Sequence, residues 1–583
     1  MKKIKTSTII LFMVMGHGSI SFSSSLEIGQ EANKVLVSLN QLSLPSPIKN
    51  KLLDHSQYPI SLDSLLPKKK KILSFSSFSH PSQNDYAISS VPYQPALPFY
   101  TFYLVQPWDK TLPFPQMIFQ VHPGTPKYLS SVWPAPAGKK PCRCLHDHLS
   151  LEEKNKLKET FLTSYFSPIT SPNKHSFIKI DHLGLFRGQL ISRIQLFPYQ
   201  FKPNNESLSI YHQLKISFLK SPSIKLFTNP FQLANALLSP LPQKLLILTS
   251  NKWQETLKPY ITWKKSLGFS VRVISLEDIS HSHEEDIKKF LQKEFFKNDQ
   301  SQWSHLLIVG NTEEIPSFFL PTSSNQQTPT DTPYTFMDDE HHDNNIPDTF
   351  HSRMLIESKE ELQAQIYKMI VFEKAISQLS VKNSVIGMAS QEGKNPSDQE
   401  YLEYIHQLLK HPSSPFSHAP FLSMMENNPE STNTYISHQL SQNPSWVTYI
   451  GHGSGYSWDS VYSGLYHAQD LEDVSNQNFF PFILDISCQN GRPEKDHYGA
   501  QWMNLHQLPH KPLGASFYYG GSVDISWDPP AVMGVSIAKT FAENHHLPSL
   551  GARLWASQFS LFSQFTEKES TQDNWIWYHL YGD

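Results

Sequence analysis

The chain is poor in cysteine, glycine and charge: 583 residues hold 3 cysteines, 23 glycines and 17% Asp, Glu, Lys and Arg. Cys142 and Cys144 form a C-x-C pair, and Cys488 stands alone far downstream. That pattern excludes a disulfide framework, a zinc site built of four cysteines and the usual thiolate-held iron–sulfur cluster. Neither sign of charge is in excess. The 49 basic and 52 acidic residues leave a net charge of −3, so a nucleic-acid or acidic-lipid partner has no electrostatic support. No run reaches the roughly 18 uncharged apolar residues of a membrane span, so no transmembrane anchor is expected.

What is present suffices for a folded core. Hydrophobic residues make up 39% of the chain and aromatic residues 12%, too many for a disordered polymer. The 43 prolines point to rigid extended connections and edge strands. The start has the pattern of a bacterial-type signal peptide over residues 1–23. Lys2, Lys3 and Lys5 precede the apolar run Ile9 to Met15, and Ser21-Phe22-Ser23 supplies small residues at a cleavage spacing. The chain is therefore expected to be secreted, periplasmic or on the cell surface.

Two regimes follow. From about 26 to 230, short alternating runs lie between turn residues, as in Pro98 to Val105, Gln189 to Phe197 and Leu208 to Ile216. They predict a β-rich domain over 24–235, interrupted by a helix at Leu151 to Tyr165. Beyond 240, apolar runs alternate with helical stretches. Leu245 to Leu248, Val271 to Ile274, Leu306 to Val309, Val385 to Met388, Val447 to Ile450, Phe482 to Ile486 and Ala515 to Tyr519 read as buried strands. Gln254 to Lys265 reads as a helix, as does a segment capped by Ser282 and Glu285. The fold class is α/β: a mostly parallel sheet flanked by helices over 240–583, preceded by the β-rich part. The stretch 220–240 reads as the linker.

Ligands of such sheets sit beyond the carboxyl ends of the strands. Two strand ends carry chemistry: Val447 to Ile450 runs into Gly451-His452-Gly453-Ser454, and Phe482 to Ser487 into Cys488-Gln489-Asn490-Gly491. A thiol needs ionisation to attack, and a nearby imidazole promotes it. Glycines let backbone N–H groups reach a developing oxyanion. Each residue alone has a plainer explanation, a small buried hydrophobe and a satisfied structural histidine. Gly16-His17-Gly18-Ser19 repeats the tetrapeptide in the signal region, where it has no such role. It is the pairing on two strand ends that points to catalysis.

These two segments resemble the catalytic segments of gingipain-type cysteine peptidases, in the caspase-like clan. Met388-Ala389-Ser390-Gln391-Glu392-Gly393 is similar to the segment whose Glu bonds the catalytic His, and Ile525-Ser526-Trp527 to the segment whose Trp lids the specificity pocket. Asp331-Thr332-Pro333-Tyr334 and Pro347-Asp348 fit as well. Leu183 to Gly188 and Pro198-Tyr199-Gln200 resemble the family's β-rich propeptide. The resemblance implies a secreted cysteine endopeptidase made as a zymogen, with its own prodomain and a protein or peptide substrate as partners. It implies Cys488 as nucleophile, His452 as general base and Glu392 as its orienting carboxylate. Backbone N–H groups of Gly453 and Cys488 would form the oxyanion hole. The chain departs from the family at Ser352-Arg353, where Gly-Arg is usual. It stops at Asp583, where relatives continue into an immunoglobulin-like domain; that separates implied surface attachment from implied chemistry.

Trp527, Glu403 and Asp398 are the candidate substrate-binding residues, the carboxylates suiting a basic residue before the scissile bond. Asp398, Glu400 and Glu403 also suit the first turn of a helix over Gln399 to Leu409. No cofactor is required for catalysis. The stretch Asp338 to Asp343 could hold a structural calcium, although it lacks the fixed ligand pattern of a known calcium loop. Cys142 and Cys144 could pair, stay free or take metal. The reading from another class is a catalytically silent binding or adhesion protein of the same fold.

Overall fold

The computed structural model describes residues 177–583 apart from 203–206, 212–213, 220–223, 280–282, 298–301, 339–345, 378–380, 394–395, 509–510, 544–545 and 566–570. Before 177 it describes short strands between 25 and 134, with residues 108 and 126 beside them. The signal region, the helix expected at Leu151 to Tyr165, Cys142 and Cys144 lie outside the described residues.

The apolar runs become one ten-stranded sheet. Its strands are β1 (Lys244–Thr249), β2 (Ser270–Ser275), β3 (His305–Val309), β4 (Phe350–Met354), β5 (Val385–Ala389), β6 (Phe421–Met425), β7 (Trp446–Ile450), β8 (Phe482–Ile486), β9 (Phe517–Gly521) and β10 (Tyr578–Tyr581). The spatial order is β2-β1-β3-β4-β10-β9-β8-β7-β5-β6. Every neighbouring pair is parallel except β9 with β10, which is antiparallel; β10 meets β4 in parallel at the single pair Arg353↔Tyr581.

Side chains alternate across each strand, so an apolar strand serves two cores. In β1, Leu245 and Ile247 pack with Trp253, Leu257 and Tyr260 of α2 (Asn251–Ser266), while Leu246 and Leu248 pack with Ile287, Leu291 and Phe295 of α3 (Glu284–Phe295). In β7, Trp446 and Ile450 face one core, and Val447 and Tyr449 the other. The helix α3 starts one residue later than expected. His283 is its N-cap and makes no side-chain cap bond, so Glu284, Glu285 and Asp286 support the start through the helix dipole.

The β-rich part is built mostly of antiparallel ladders, such as Ile178–Phe186 with Gln189–Leu196 and the latter with Pro98–Pro107; Lys71–Ser74 pairs in parallel with Val132–Pro134. The run expected as one strand over Leu208 to Ile216 is split into Ser207–Ile210 and Leu214–Leu219, which join different sheets. The stretch read as a linker is structured as well. Lys225–Phe227 pairs with Pro98–Pro107, and Pro230–Leu238 forms α1, with Asn229 accepting from Phe231 N at 2.8 Å and Pro230 at the first turn.

This part docks through an apolar cluster and two arginines, the half-buried Arg187 and the buried Arg193, which donates to Phe562 O at 3.2 Å and Phe565 O at 2.8 Å. Tyr103, Phe186, Ile191, Phe231 and Leu238 share a core with Trp555, Phe559 and Phe562, which lie on a helix spanning 550–564. Arg187, at a hairpin tip with φ of 50°, donates from its backbone N–H to Asp348 Oδ1 at 2.7 Å. Its guanidinium donates to Asp348 O at 2.9 Å and to Trp303 O. Gly188 N–H lies 3.3 Å from Asp338 Oδ2. Burial, reinforced by Asp338, pushes the Asp348 carboxyl up to about 7. Asp338 is the described member of the acidic stretch considered for calcium.

A fully buried pair braces the sheet. Arg353 Nε and Nη2 meet Asp331 Oδ2 and Oδ1 at 2.7 and 2.8 Å, and Arg353 also donates to Gly310 O at 3.0 Å and Ile315 O at 3.1 Å. Burial pushes the Asp331 carboxyl up, but the Arg353 guanidinium outweighs it and holds the group well below the usual range. A depressed folded-state pKa stabilises above the unfolded value, near pH 4, and that contribution is lost as pH falls. Asp331→Asn strands the arginine in the core and is expected to cost about 3–5 kcal/mol in urea denaturation near neutral pH. The variant should also lose less stability than the wild type between about pH 5 and about pH 3.

Candidate active site

Register places the chemistry. Ala389 of β5 pairs with Ile450 of β7, and Ile450 pairs with Ile486 of β8. His452 and Cys488 therefore each follow a paired isoleucine by two residues, on adjacent strands. Glu392 leaves the third strand three residues beyond its own pair.

The His452 loop is held by its backbone. Its N–H donates to Ser460 Oγ at 3.0 Å, and its carbonyl accepts from the Tyr449 hydroxyl at 2.7 Å. That hydroxyl in turn accepts from Ser460 N at 2.8 Å. The imidazole Nε2 lies 3.1 Å from Glu392 Oε2. Glu392 sits on a turn stabilised by Ser390, whose hydroxyl accepts from Glu392 N at 3.0 Å and donates to Asp398 Oδ2 at 2.8 Å. Asp398 N–H closes the turn on Glu392 O at 3.0 Å.

Cys488 is buried, and its sulfur accepts from Ile525 N at 3.4 Å. The next residue, Gln489, has φ of 65° although it is not glycine. Such strain persists only where the surroundings impose it. Here Gln489 N–H donates to Val523 O at 3.0 Å, and its side chain to Asp524 Oδ1 at 2.8 Å. The two loops touch at Gly453. A Cβ there would lie 2.5 Å from Cys488 O and 2.6 Å from Ser487 Oγ, so glycine is what lets the loops close together.

Of the residues expected to bind substrate, Trp527 is at the site, its ring 5.9 Å from His452 in edge-on contact. Its Nε1 stands 3.0 Å from where a Cβ on Gly393 would be, which puts the indole against the Glu392 turn. Asp398 is fully buried beneath that turn, at the first position of a helix spanning 398–409. Glu403 is exposed on this helix and is not brought to the site; Glu400 completes a capping box with Ser397. Sequence reasoning missed Asp485 and Asn490, both fully buried behind the Cys488 turn. An acid inside the apolar run of β8 was the available signal; Asn490 gave none. Among the described residues, no group of three or more His, Cys, Asp or Glu could hold a metal ion.

The arrangement offers a thiol, an imidazole with an orienting carboxylate, and backbone amides at one strand edge. It depends on how closely the loops approach. Gly453→Ala is expected to force them apart while leaving the cores intact. The checks are a fall of at least about tenfold in the Cys488 alkylation rate with an unchanged far-UV spectrum.

Comparison with known proteins gives the family. Gingipain R2 of Porphyromonas gingivalis is 24% identical over 374 residues, 59% of this chain and 48% of that protein. Lys-gingipain HG66 of the same species is 22% identical over 378 residues, 60% of this chain and 21% of that protein. The chain thus spans about half the length of the first relative and about a fifth of the second. The crystal structure of the Arg-specific cysteine proteinase gingipain R is 21% identical, with a TM-score of 0.49, over 58% of this chain and 77% of that one. The family model of peptidase family C25 matches residues 239–583, more than half of the sequence, and the chain belongs to that family.

Proposed function

We propose that the protein is an exported cysteine endopeptidase, made as a zymogen, in which Cys488 attacks the peptide carbonyl. The observation that carries this is the Ile450↔Ile486 pair, which delivers His452 and Cys488 from adjacent strand ends, with Glu392 against the imidazole. Because Glu392 engages Nε2, Nδ1 is the nitrogen that takes the thiol proton. The thiolate sulfur bonds to the carbonyl carbon, and the carbonyl electron pair moves to oxygen. The N–H groups of Gly453 and Cys488 hold that oxyanion; such donors contribute about 2.7–4 kcal/mol each. The imidazolium then protonates the departing amine. Water, deprotonated by His452, releases the thioester as acid and thiol.

Glu392 fixes the ring and favours its charged form. The Ile525 N–H directed at the sulfur favours the thiolate. Every step uses groups of this chain. Trp527 and Asp398 flank the Glu392 turn and suit a pocket for a basic side chain, with Asp398 as its carboxylate. The β-rich part keeps the enzyme latent; its apolar core shared with residues 550–564 and the bonds of Arg187 to the buried Asp348 support a docked rather than a loose prodomain. Export rests on the pattern of residues 1–23, and no helix among the described residues is long and apolar enough to cross a membrane.

Thiol reactivity is the direct test. Iodoacetamide near pH 6 should label Cys488 rapidly in protein processed by limited proteolysis, and His452→Ala should slow this by at least about a hundredfold. Slow labelling that is indifferent to His452 would instead support a silent binding or adhesion protein. Mass spectrometry of products from a peptide library tests the pocket: ends at Arg or Lys are expected, with Asp398→Asn lowering their yield selectively. Products that never end in a basic residue rule the pocket out.

A further inference from the structure

Asp485 is an acid inside an apolar strand, and the chemistry above makes no use of it. It is fully buried and takes four donors. They are Trp458 Nε1 at 2.8 Å, Asn490 Nδ2 at 3.1 Å, and the hydroxyls of Tyr518 and Ser487. Burial pushes its carboxyl up, and the four donors oppose this. A hydrophobic residue would fill a β8 position at far lower desolvation cost, so a stabilising role is a poor account of the acid.

The donors come from both sides of the cleft. Trp458 belongs to the loop that follows His452; it bridges back to Gly453 and stacks on Tyr449 with ring centroids 5.0 Å apart. Ser487 and Asn490 lie on either side of Cys488. The Asn490 amide completes the link: Nδ2 also reaches Ser457 O at 2.9 Å and Ser487 Oγ at 3.0 Å, while Oδ1 accepts from Gly455 N at 2.9 Å. A single amide thus bonds the His452 loop through both of its ends, at Gly455 and Ser457, and the carboxylate under the Cys488 turn through Nδ2.

We propose that Asp485 and Asn490 are positioning residues that hold the His452 loop and the Cys488 turn in one fixed relation, so that the dyad and its two amides are preformed. This rests on the peptidase reading. Neither residue needs to touch substrate, so their loss should lower kcat and thiol reactivity while KM changes little.

The test uses full-length protein processed by limited proteolysis, with iodoacetamide labelling read by peptide mapping, which separates Cys488 from Cys142 and Cys144. Asn490→Ala should slow Cys488 labelling at least about tenfold and lower kcat on a peptide substrate about a hundredfold, with KM within about threefold. Tyr518→Phe keeps the ring, removes one donor to Asp485 and guards against a folding failure of the first variant. It should slow labelling by about threefold to tenfold, with a lower melting temperature but a transition that stays cooperative. Labelling and kcat within about twofold of the wild type in Tyr518→Phe, and in Asn490→Ala if it folds, would overturn the proposal while leaving the peptidase reading in place. Slow labelling of the wild type itself defeats both.

Discussion

Parallel pairing in register is the constraint on which the rest of the site depends. Once Ala389, Ile450 and Ile486 stand side by side, the residues that follow them must emerge at one edge, whatever the loops then do. A shift of one residue in β7 relative to β8 would reverse the faces of Trp446 to Ile450, moving Tyr449 and Val447 into the wrong core. The hydrophobic effect thereby fixes the register of the candidate site. Burial of strands on both faces does the positioning before any polar contact is made.

Polar contacts then refine what packing sets. Arg353 and Asp331 brace the end of β4, while Tyr449, Ser460, Asp485 and Asn490 fix backbone and loops next to the candidate dyad. Each is buried and multiply bonded, the condition under which a buried polar group is tolerable. The left-handed Gln489 belongs to the same system. Its cost, of order 1–3 kcal/mol, is met by bonds to Val523 and Asp524 beside the sulfur's own donor, Ile525.

The fold was legible in the sequence because buried parallel strands announce themselves as apolar runs. Seven such runs became strands of the one sheet, and His452 and Cys488 were readable as polar residues directly after two of them. Glu392 was not readable without the family resemblance, since nothing local distinguishes it among 52 acidic residues. Glu403 and Asp398 could not be separated by sequence, because both suit a first turn; only the path of the helix over 398–409 exposes one and buries the other. The region 220–240 was misread because proline and serine imply loop. Asn229 and Pro230 start a helix there, and the apolar side of that helix was hidden until a partner, Trp555 and Phe559, supplied the other half of its core. Tertiary partners of this kind are invisible to local pattern.

That shared core bears on how the proposed latency is relieved. Phe231, Leu238, Phe186, Trp555, Phe559 and Phe562 bury apolar surface across the boundary, at about 1.5–3 kcal/mol for each fully buried large side chain. Arg187 adds a bond set to Asp348, and its removal would leave that carboxyl and Asp338 buried together without the guanidinium. A cut between the two parts changes none of these contacts. Cleavage therefore makes release possible but does not drive it, and the severed β-rich part should remain a bound inhibitor until it is degraded or its docking surface is otherwise weakened. The burial that stabilises the fold thus makes activation a matter of dissociation as well as proteolysis.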